Sequence, residues 1–313
     1  MRPIHPILAK PRCEAIVKDI AIRELKDPEE FEQAVEVQYS AWRMKDYREA
    51  VPAHMLKALA DTSGLLLGAF NTETGELIGM AIGFYVCSND GKKYLYSHMV
   101  GVKEGLKYKG VGYRLKLAQR EYALKNNVDL IMWTYDPAQS LNANFNINKL
   151  GVINRDFKIN YYGEIRDGIN IGMPTDRFKV EWWIRSPRVE KRISAGPPKL
   201  DFNTMIHDYG CKQAADIESK EDLPCIRTIN TNLENYCVMV PIPRDINSIR
   251  EASIEKALEW RLMLRQLFTY YILEKGYIVV EYLLDKEREV GYYVLVKEQD
   301  MKKILENNLP WYH

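Results

Sequence analysis

Three features of the sequence predict an α/β fold with a mixed central sheet flanked by helices, followed by a C-terminal α+β extension. An extended run rich in β-branched and aromatic residues, 94–102, passes through a glycine-containing turn into a helical period at 111–124. A short, mostly apolar run at 128–136 is typical of a buried strand, which implies a parallel neighbour. Two earlier strands, 65–70 and 77–86, are joined by a polar connection of hairpin length.

The remaining elements of the first half follow from local signals. A first strand is predicted at 16–25, and Asp27-Pro28-Glu29-Glu30 then begins a helix with an N-cap acid, proline at the first position and a capping-box glutamate. A second helix follows Pro52 and ends near residue 64. Ser140 or Asn142 is expected to cap a later helix that Gly151 closes. Strands at 153–165 and 178–185 complete this half.

The chain is predicted to divide into a lead-in, 1–14, a first domain, 15–186, and the extension, 187–313. Residues 186–198 are basic and proline-containing without a clear period, which favours a boundary there. The extension shows a strand at 236–242, a long helix at 253–275 and a hairpin of 277–284 with 290–296.

Composition excludes several classes of protein. The 313 residues are 46% apolar and 28% charged, as in ordinary globular proteins. A formal net charge of +1 argues against a dedicated nucleic-acid binder. No run is long enough to span a bilayer, and residues 1–18 lack the apolar core of a signal peptide. Five scattered cysteines indicate neither a zinc knuckle nor a disulfide framework, so a reduced, cytoplasmic protein is expected, with disulfide-bearing proteins of hyperthermophiles as the known exception.

The turn before the third predicted helix has the composition of a pyrophosphate site. In Lys107-Tyr108-Lys109-Gly110-Val111-Gly112, two glycines and two cations stand where a strand ends and a helix begins. Glycine lets a ligand approach the backbone, and the free N–H groups of a helix N-terminus favour an anion. The alternative is that the glycines only pack the helix on its strand. Within the helix, Val111 and Leu115 lie on the apolar side, while Lys116, Gln119 and Arg120 fall on other faces.

With these elements in order, residues 15–186 resemble the GNAT superfamily of acyl-CoA-dependent N-acyltransferases. The family's loop, Gln/Arg-x-x-Gly-x-Gly/Ala, is similar to Lys107-x-x-Gly110-x-Gly112. Several longer sequence segments resemble those of a group of predicted bacterial and archaeal acetyltransferases, and this resemblance extends over nearly the whole chain. It lies in DPAQSLNANFNINKLG (136–151), NYYGE (160–164), GMPTDRFKVEW (172–182) and VPIPRDI (240–246).

The resemblance implies where acetyl-CoA or another acyl-CoA binds as cosubstrate. Backbone groups of Val100 and Val102 pair with pantetheine, which lies like an added strand in a gap between strands four and five. The pyrophosphate is held by the backbone amides from Lys107 to Gly112, which include those of Lys109, Gly110 and Val111. Asn142 and Asn144 contact pantetheine amides, although helix capping explains Asn142 as well. No metal is expected.

The catalytic residues are less well defined by the sequence. Many GNAT enzymes have a tyrosine acid four residues before the glycine that closes the helix after strand five, but this chain has Ile147 there. Tyr135, Tyr161 or Tyr162 could substitute through space. Because a free thiol has a pKa of about 8.5, the thiolate could also leave without a strong acid. Glu181 is a candidate base, with an ion-paired strand glutamate as the alternative. His98 is a second candidate, with a hydrogen-bonded interior histidine as the alternative.

The predicted function is N-acylation, with an acetyl or succinyl donor, of a small amino-acid-like amine by direct transfer. Arg177, beside Asp176, is a candidate clamp for the acceptor carboxylate, or else part of a surface ion pair. Arg261 and Arg265 form a basic stripe that is more typical of a solvated helix face. Acetylation of a protein lysine or N-terminus and a catalytically silent CoA-binding module are the alternatives. Neither nucleic acid nor membrane is an expected partner, and a homodimer stays open.

Overall fold

Eleven strands form one mixed sheet, and two more form a separate hairpin. These belong to a computed structural model that describes residues 20–62, 64–105, 110–163, 172–220 and 223–312. Helices cover both faces of the large sheet, as the core clusters below show. The predicted mixed α/β class is therefore confirmed.

The first half has the predicted order of elements. These are β1 (Ile20–Glu24), α1 (Pro28–Trp42), α2 (Ala53–Asp61), β2 (Gly64–Asn71), β3 (Leu77–Cys87), β4 (Lys93–Val102), α3 (Val111–Lys125), β5 (Leu130–Tyr135), α4 (Ser140–Ala143) with a π-helical continuation (Asn144–Lys149), β6 (Ile153–Lys158) and β7 (Arg177–Trp183). A short 3₁₀ turn (Tyr47–Glu49) lies between α1 and α2. β6 ends sooner than predicted because residues 159–162 turn.

The second half contains more elements than its sequence signals. These are α5 (Pro187–Ala195), α6 (Phe202–His207), β8 (Lys212–Gln213), β9 (Ala215–Lys220), β10 (Leu223–Ile229), β11 (Cys237–Pro243), α7 (Ile246–Ala252), α8 (Ile254–Phe268) with a π-helical continuation (Thr269–Glu274), β12 (Ile278–Asp285), β13 (Val290–Val296) and α9 (Met301–Leu305). A 3₁₀ turn (Pro310–Tyr312) follows. The predicted strand, long helix and hairpin correspond to β11, α8 and β12–β13.

Local signals placed most helix ends correctly. Asp27 is the N-cap of α1, and its backbone N–H donates to Glu30 Oε2 at 3.4 Å, as in a capping box. The cap predicted for α4 is wrong, because Gln139 occupies the N-cap position and contributes no side-chain hydrogen bond. Gly151 has a φ of 75°, the left-handed conformation expected of the residue that closes this helix.

The order of strands places a parallel pair in the middle of the first half. Across the sheet the order is β1-β2-β3-β4-β5-β7-β6-β12-β13-β11-β8. Neighbours are antiparallel, except that β4 pairs with β5 and β11 with β8 in parallel. On one face α1 and α2 enclose a core that includes Phe31, Leu56 and Ile82. On the other face α3 and α8 share a larger core with β5 and β7.

The extension continues the same sheet. β12 joins β6 through one residue pair, Val279 with Asn154, and β13 and β11 follow. Residues 186–198, predicted as a boundary without periodic structure, contain the helix α5, which Ser186 caps by accepting from the Val189 amide. The sequence did not predict this helix because two of its three buried residues, Arg188 and Arg192, are charged, and only Val189 is apolar. The division near residue 186 remains a prediction.

Two of the five cysteines form a disulfide, so the expectation of a protein without disulfides is wrong. Cys211 and Cys237 are joined, with Cα atoms 4.6 Å apart. Their sequence spacing gives no framework pattern, but β8 follows Cys211 and pairs with the strand that Cys237 begins. Adjacency in the sheet, which spacing alone does not reveal, brings the two thiols together. Within the same ranges, none of the helices is long and apolar enough to cross a bilayer.

Candidate functional site

The central feature of the site is a gap where β4 and β5 part. The two parallel strands share only two residue pairs, Leu95 with Ile131 and Tyr96 with Met132. β4 nevertheless continues to Val102 and β5 to Tyr135. A bulge bends β4 at the same place, because Ile82 pairs with Met99 and Gly83 with Ser97, which leaves His98 as the extra residue. Beyond Tyr96 and Met132, the facing edges of both strands therefore have no strand neighbour among the described residues.

The N-terminus of α3 lies at the open end of this gap. Gly110 is its N-cap with a φ of 81°, which strongly favours glycine, and none of the described side chains caps the helix. At Gly112 a Cβ would meet only Val102 Cγ2, at 3.9 Å, so its lack of a side chain is not required by packing. The first-turn N–H groups of the 15-residue helix have no intrahelical acceptor. Lys107 and Lys109 lie outside the described residues.

Three hydroxyl groups meet at the closed end of the gap, where the strands still pair. Tyr96 comes from β4 and Thr134 from β5, while Tyr162 belongs to the turn after β6. Thr134 Oγ1 and Tyr162 OH are 2.8 Å apart, and Tyr96 hydrogen-bonds to both residues. Burial, together with the neighbouring Tyr162, raises the pKa of Tyr96, so the Tyr96 hydroxyl keeps its proton at neutral pH. The cluster offers O–H donors from three separate elements.

His98 follows Tyr96 on β4 by two residues, and its side chain is accessible to solvent. Its ring centroid is 6.4 Å from that of Phe84, and Phe84 is 5.4 Å from Tyr96. Although water reaches the side chain, the protein that surrounds it limits its hydration. This partial burial lowers the pKa of His98 below 6.5. The imidazole is therefore neutral at pH 7 and able to accept a proton.

Two other predicted catalytic residues occupy different surroundings. Glu181 is buried on β7 opposite Met132, where Arg155 Nε and Trp183 Nε1 each donate to it at 2.8 Å. Its carboxylate oxygens are thus both engaged away from the hydroxyl cluster. Tyr161 is exposed, and its ring packs edge-on against Tyr162 with centroids 4.7 Å apart. Their catalytic roles remain predictions.

The predicted acceptor residues lie at the start of β7. Both oxygens of Asp176 accept from Arg265 of α8, at 2.8 and 2.9 Å. The buried Arg177 donates to the Asp176 carbonyl at 2.9 Å, and its guanidinium lies 5.6 Å from the centre of the Tyr162 ring. Arg177 therefore adjoins the hydroxyl cluster, whereas Asp176 is held by the extension.

The basic stripe on α8 is not a solvated face. Arg261 is buried and donates to both oxygens of Asp136, at 2.6 and 3.0 Å. Burial alone would raise the pKa of Asp136, but the Arg261 guanidinium outweighs it and holds that pKa below 3.8. The stripe attaches the extension to the ends of β5 and β7.

The residues predicted to contribute to the site from α4 and the strand before it lie in different surroundings. Asn142 is exposed, and Asn144 accepts from Asn148 at 3.0 Å. Ile147 is fully buried in the core, and its hydrocarbon side chain has no proton to donate. Tyr135 is also buried, with its hydroxyl 3.2 Å from that of Tyr293. In the described part of the chain, no group of acidic, histidine or cysteine side chains is arranged to hold a metal ion.

A buried polar cluster behind the gap was missed by the sequence analysis, which placed Lys116 and Gln119 on outer faces of α3. Both are buried: Lys116 Nζ donates to Ser97 Oγ at 2.8 Å and lies 3.5 Å from the centre of a Trp133 ring. Ser97 Oγ in turn donates to Gln119 Oε1 at 2.9 Å. Periodicity assigns lysine to solvent unless the facing strands are known to offer partners.

Comparison with known proteins gives matches in shape alone. No protein-family model matches the sequence, and no curated protein matches it. An aminoglycoside acetyltransferase from an uncultured soil metagenomic sample is 16% identical, with 40% of this chain and 84% of that chain covered and a TM-score of 0.36. The ribosomal-protein-S18-alanine N-acetyltransferase of Escherichia coli is 14% identical, with 53% and 94% covered and a TM-score of 0.43.

A third structure is similarly distant. NAA60 of Arabidopsis thaliana, in complex with a bisubstrate analogue, is 12% identical, with 53% and 98% covered and a TM-score of 0.44. Sequence identities and TM-scores this low give no information about the activity of this chain. The arrangement that the GNAT resemblance implies, with a parallel pair that parts beside a helix N-terminus, is nevertheless present in the strand pairing itself.

Proposed function

We propose that this chain is an acyl-CoA-dependent N-acyltransferase that transfers an acetyl or succinyl group to the amine of a small amino-acid-like acceptor. The observation that carries the proposal is the parting of β4 and β5 after Tyr96 and Met132, with the uncapped N-terminus of α3 at its open end. An unpaired strand edge accepts an extended, amide-bearing ligand, and a helix N-terminus accepts a phosphate.

The dimensions of the gap suit the donor. From Val102 back to Ser97, β4 spans about 17 Å, a length comparable with an extended pantetheine arm. With the pyrophosphate at Gly110 to Gly112, the arm would run along the edge past Val102 and Val100. The thioester would then lie near His98, beside the hydroxyl cluster.

The groups at this position supply what acyl transfer needs. The acceptor amine attacks the thioester carbonyl, so a C–N bond forms and the C–S bond breaks. Neutral His98 would take the proton that the amine loses, because its lowered pKa keeps it unprotonated at pH 7. Tyr162, in contact with Thr134, would donate the proton that converts the departing thiolate to CoA thiol. Amide and free CoA are the products.

Positive charge beside the cluster supports an acceptor that carries a carboxylate. Lys179 is half-buried on β7 directly opposite Thr134, and the described residues give its ammonium no ion-pair partner. Arg177 lies two residues earlier on the same side of the strand, next to the Tyr162 ring. An acceptor carboxylate would lie between these cations, with its amine towards His98.

Binding of CoA to wild-type protein and to Gly112→Glu tests the donor site. The wild type is expected to bind CoA in a calorimetric titration, and Gly112→Glu to lose at least about tenfold in affinity, since a carboxylate at the helix N-terminus repels the pyrophosphate. The variant should still fold, because the position has room and an acidic residue suits a first turn. Lys286→Gln, on an exposed turn, lowers the net charge by the same one unit and is expected to bind CoA as the wild type does.

Thiol release from acetyl-CoA and succinyl-CoA over a panel of amino acids, their decarboxylated amines and peptides tests the reaction. Amino acids are expected to react faster than the matching amines. Preference for peptides would instead support a protein acetyltransferase, and tight CoA binding without any acylation would support a silent module. Absence of CoA binding by the wild type would refute the proposal as a whole.

A further inference from the structure

The buried cluster of Lys116, Ser97 and Gln119 lies directly behind the closed end of the gap. Ser97 and Trp133 are the first residues after the last paired positions of β4 and β5, Tyr96 and Met132. Lys116 Nζ contacts both of them, at 2.8 Å from Ser97 Oγ and 3.5 Å from the Trp133 ring centre. The ammonium therefore bridges the two strands at the point where they separate.

The cluster of Lys116, Ser97 and Gln119 has more hydrogen-bond donors than acceptors and carries no negative charge. Lys116 is only 3% exposed, forms no ion pair with any described residue, and has a pKa well below 10.5 because it is buried. The Gln119 Nε2 amide is buried without a hydrogen-bond partner. A buried cation without a counter-charge costs several kcal/mol, which a methionine of similar length would avoid. An acceptor from outside the protein would satisfy both donors.

Gly83 of β3 lies directly beside these donors. Its φ does not lie in the left-handed region, so its backbone does not require glycine. A Cβ there would lie 3.4 Å from Gln119 Nε2 and 3.2 Å from the Tyr96 carbonyl oxygen. A Cβ at these distances would be crowded, so the glycine allows β3 to lie close against the cluster.

Given the proposed function, on which this inference rests, the structure assigns Lys116 and Gln119 the recognition of the donor's acyl group: we infer that they select an acyl chain that ends in a carboxylate, such as succinyl. The arm runs from α3 towards the closed end, so the acyl group is the part of the donor nearest to Ser97. An acetyl group ends at the strand edge, whereas a dicarboxylic chain extends its carboxylate further. The flexible stem of Lys116 allows Nζ to turn from the Trp133 ring to that carboxylate.

Calorimetric affinities of the full chain for succinyl-CoA and butyryl-CoA test the inference without knowledge of the acceptor. The two acyl chains have equal length and differ in the terminal carboxylate. The wild type is expected to bind succinyl-CoA at least about tenfold more tightly than butyryl-CoA, as a charge-assisted hydrogen bond implies. Lys116→Met should reduce this ratio to near one. Lys125→Met, which removes an exposed lysine from the same helix, should keep the wild-type ratio.

Each result of this experiment has a defined meaning. A wild-type ratio near one, with both donors bound, would overturn the inference and leave the proposed function standing. Equal loss of both affinities in Lys116→Met, with an unchanged ratio, would overturn it too, because the lysine would then only support the strands. If Lys116→Met fails to fold, the wild-type ratio and Gln119→Leu, expected to lower it, decide the matter. Failure of every CoA compound to bind would refute both proposals.

Discussion

At the scale of single residues, His98 is placed by the backbone. The β-bulge between the pairs Ile82–Met99 and Gly83–Ser97 makes it the extra residue on β4 and turns its ring towards Phe84. A lone histidine in a strand gives no such information, since a bulge cannot be read from the alternation of side chains. Its combination of solvent access and a lowered pKa suits a proton acceptor.

The pH dependence of acylation is expected to reflect the protonation of His98. Because the folded pKa of His98 is below 6.5, kcat/KM should rise with pH to a plateau already reached near neutrality. His98→Ala should lose about 100-fold in rate and the acidic limb with it. Rates between pH 5 and 8 with the best acceptor measure both effects. His54→Ala, on the exposed side of α2, is the control, and an unchanged limb in His98→Ala would exclude this role.

At the scale of elements, the sequence predicted those defined by local signals and missed those that depend on partners. Strands β2 to β5 and α3 carry clear periods and turn residues, so their order was correct. α5 was missed because Arg188 and Arg192 on its inner face pair with Glu281, which lies 93 and 89 positions later in the chain. The hydroxyl cluster was found only in part for the same reason: Tyr162 was named, but Tyr96 and Thr134 become relevant only across paired strands.

The attachment of α8 to β5 depends on the ion pair of Arg261 with Asp136. Arg261→Met is expected to lower the free energy of unfolding by about 3–5 kcal/mol, because it leaves a buried carboxylate unpaired. Urea denaturation at pH 7 measures this loss. Arg244→Met, which breaks an exposed pair with Glu289, should cost less than about 1 kcal/mol.

The pH dependence of the free energy of unfolding provides a second measurement of the ion pair of Arg261 with Asp136. The folded pKa of Asp136 lies below 3.8, so its contribution to stability is complete above that value and declines as pH falls through the folded pKa. The stability difference between wild type and Arg261→Met should therefore narrow below about pH 4. A constant difference down to pH 3 would show that lost packing, and not charge, is responsible.

At the scale of the whole molecule, the two predicted domains share a core and a sheet. Phe178 of β7 packs against Phe268 and Tyr293 of the extension, with ring centroids 4.6 and 5.2 Å apart. Arg188 Nε of the extension donates to the Gly151 carbonyl of the first half at 3.0 Å. Backbone pairing across the junction is limited to Val279 with Asn154, so side chains supply most of the attachment.

A fragment of residues 1–186 is therefore expected not to fold by itself. Removal of the extension exposes Phe178 and the inner face of β6 and β7 to water, a loss of several kcal/mol that is comparable with a typical domain's free energy of unfolding. The fragment should show poor dispersion in NMR spectra and aggregate, whereas the full chain should unfold in one transition. A well-dispersed fragment spectrum would establish the first half as an independent domain.

The Cys211–Cys237 disulfide gives the chain a covalent ring. The two cysteines are 26 positions apart, and the hairpin of β9 and β10 lies between them. A protease that cuts one peptide bond in this segment would not divide the protein into two molecules, since the sulfur bridge still joins the pieces. Under non-reducing electrophoresis the nicked protein would keep the mass of the intact chain, and only a reductant would release the fragments.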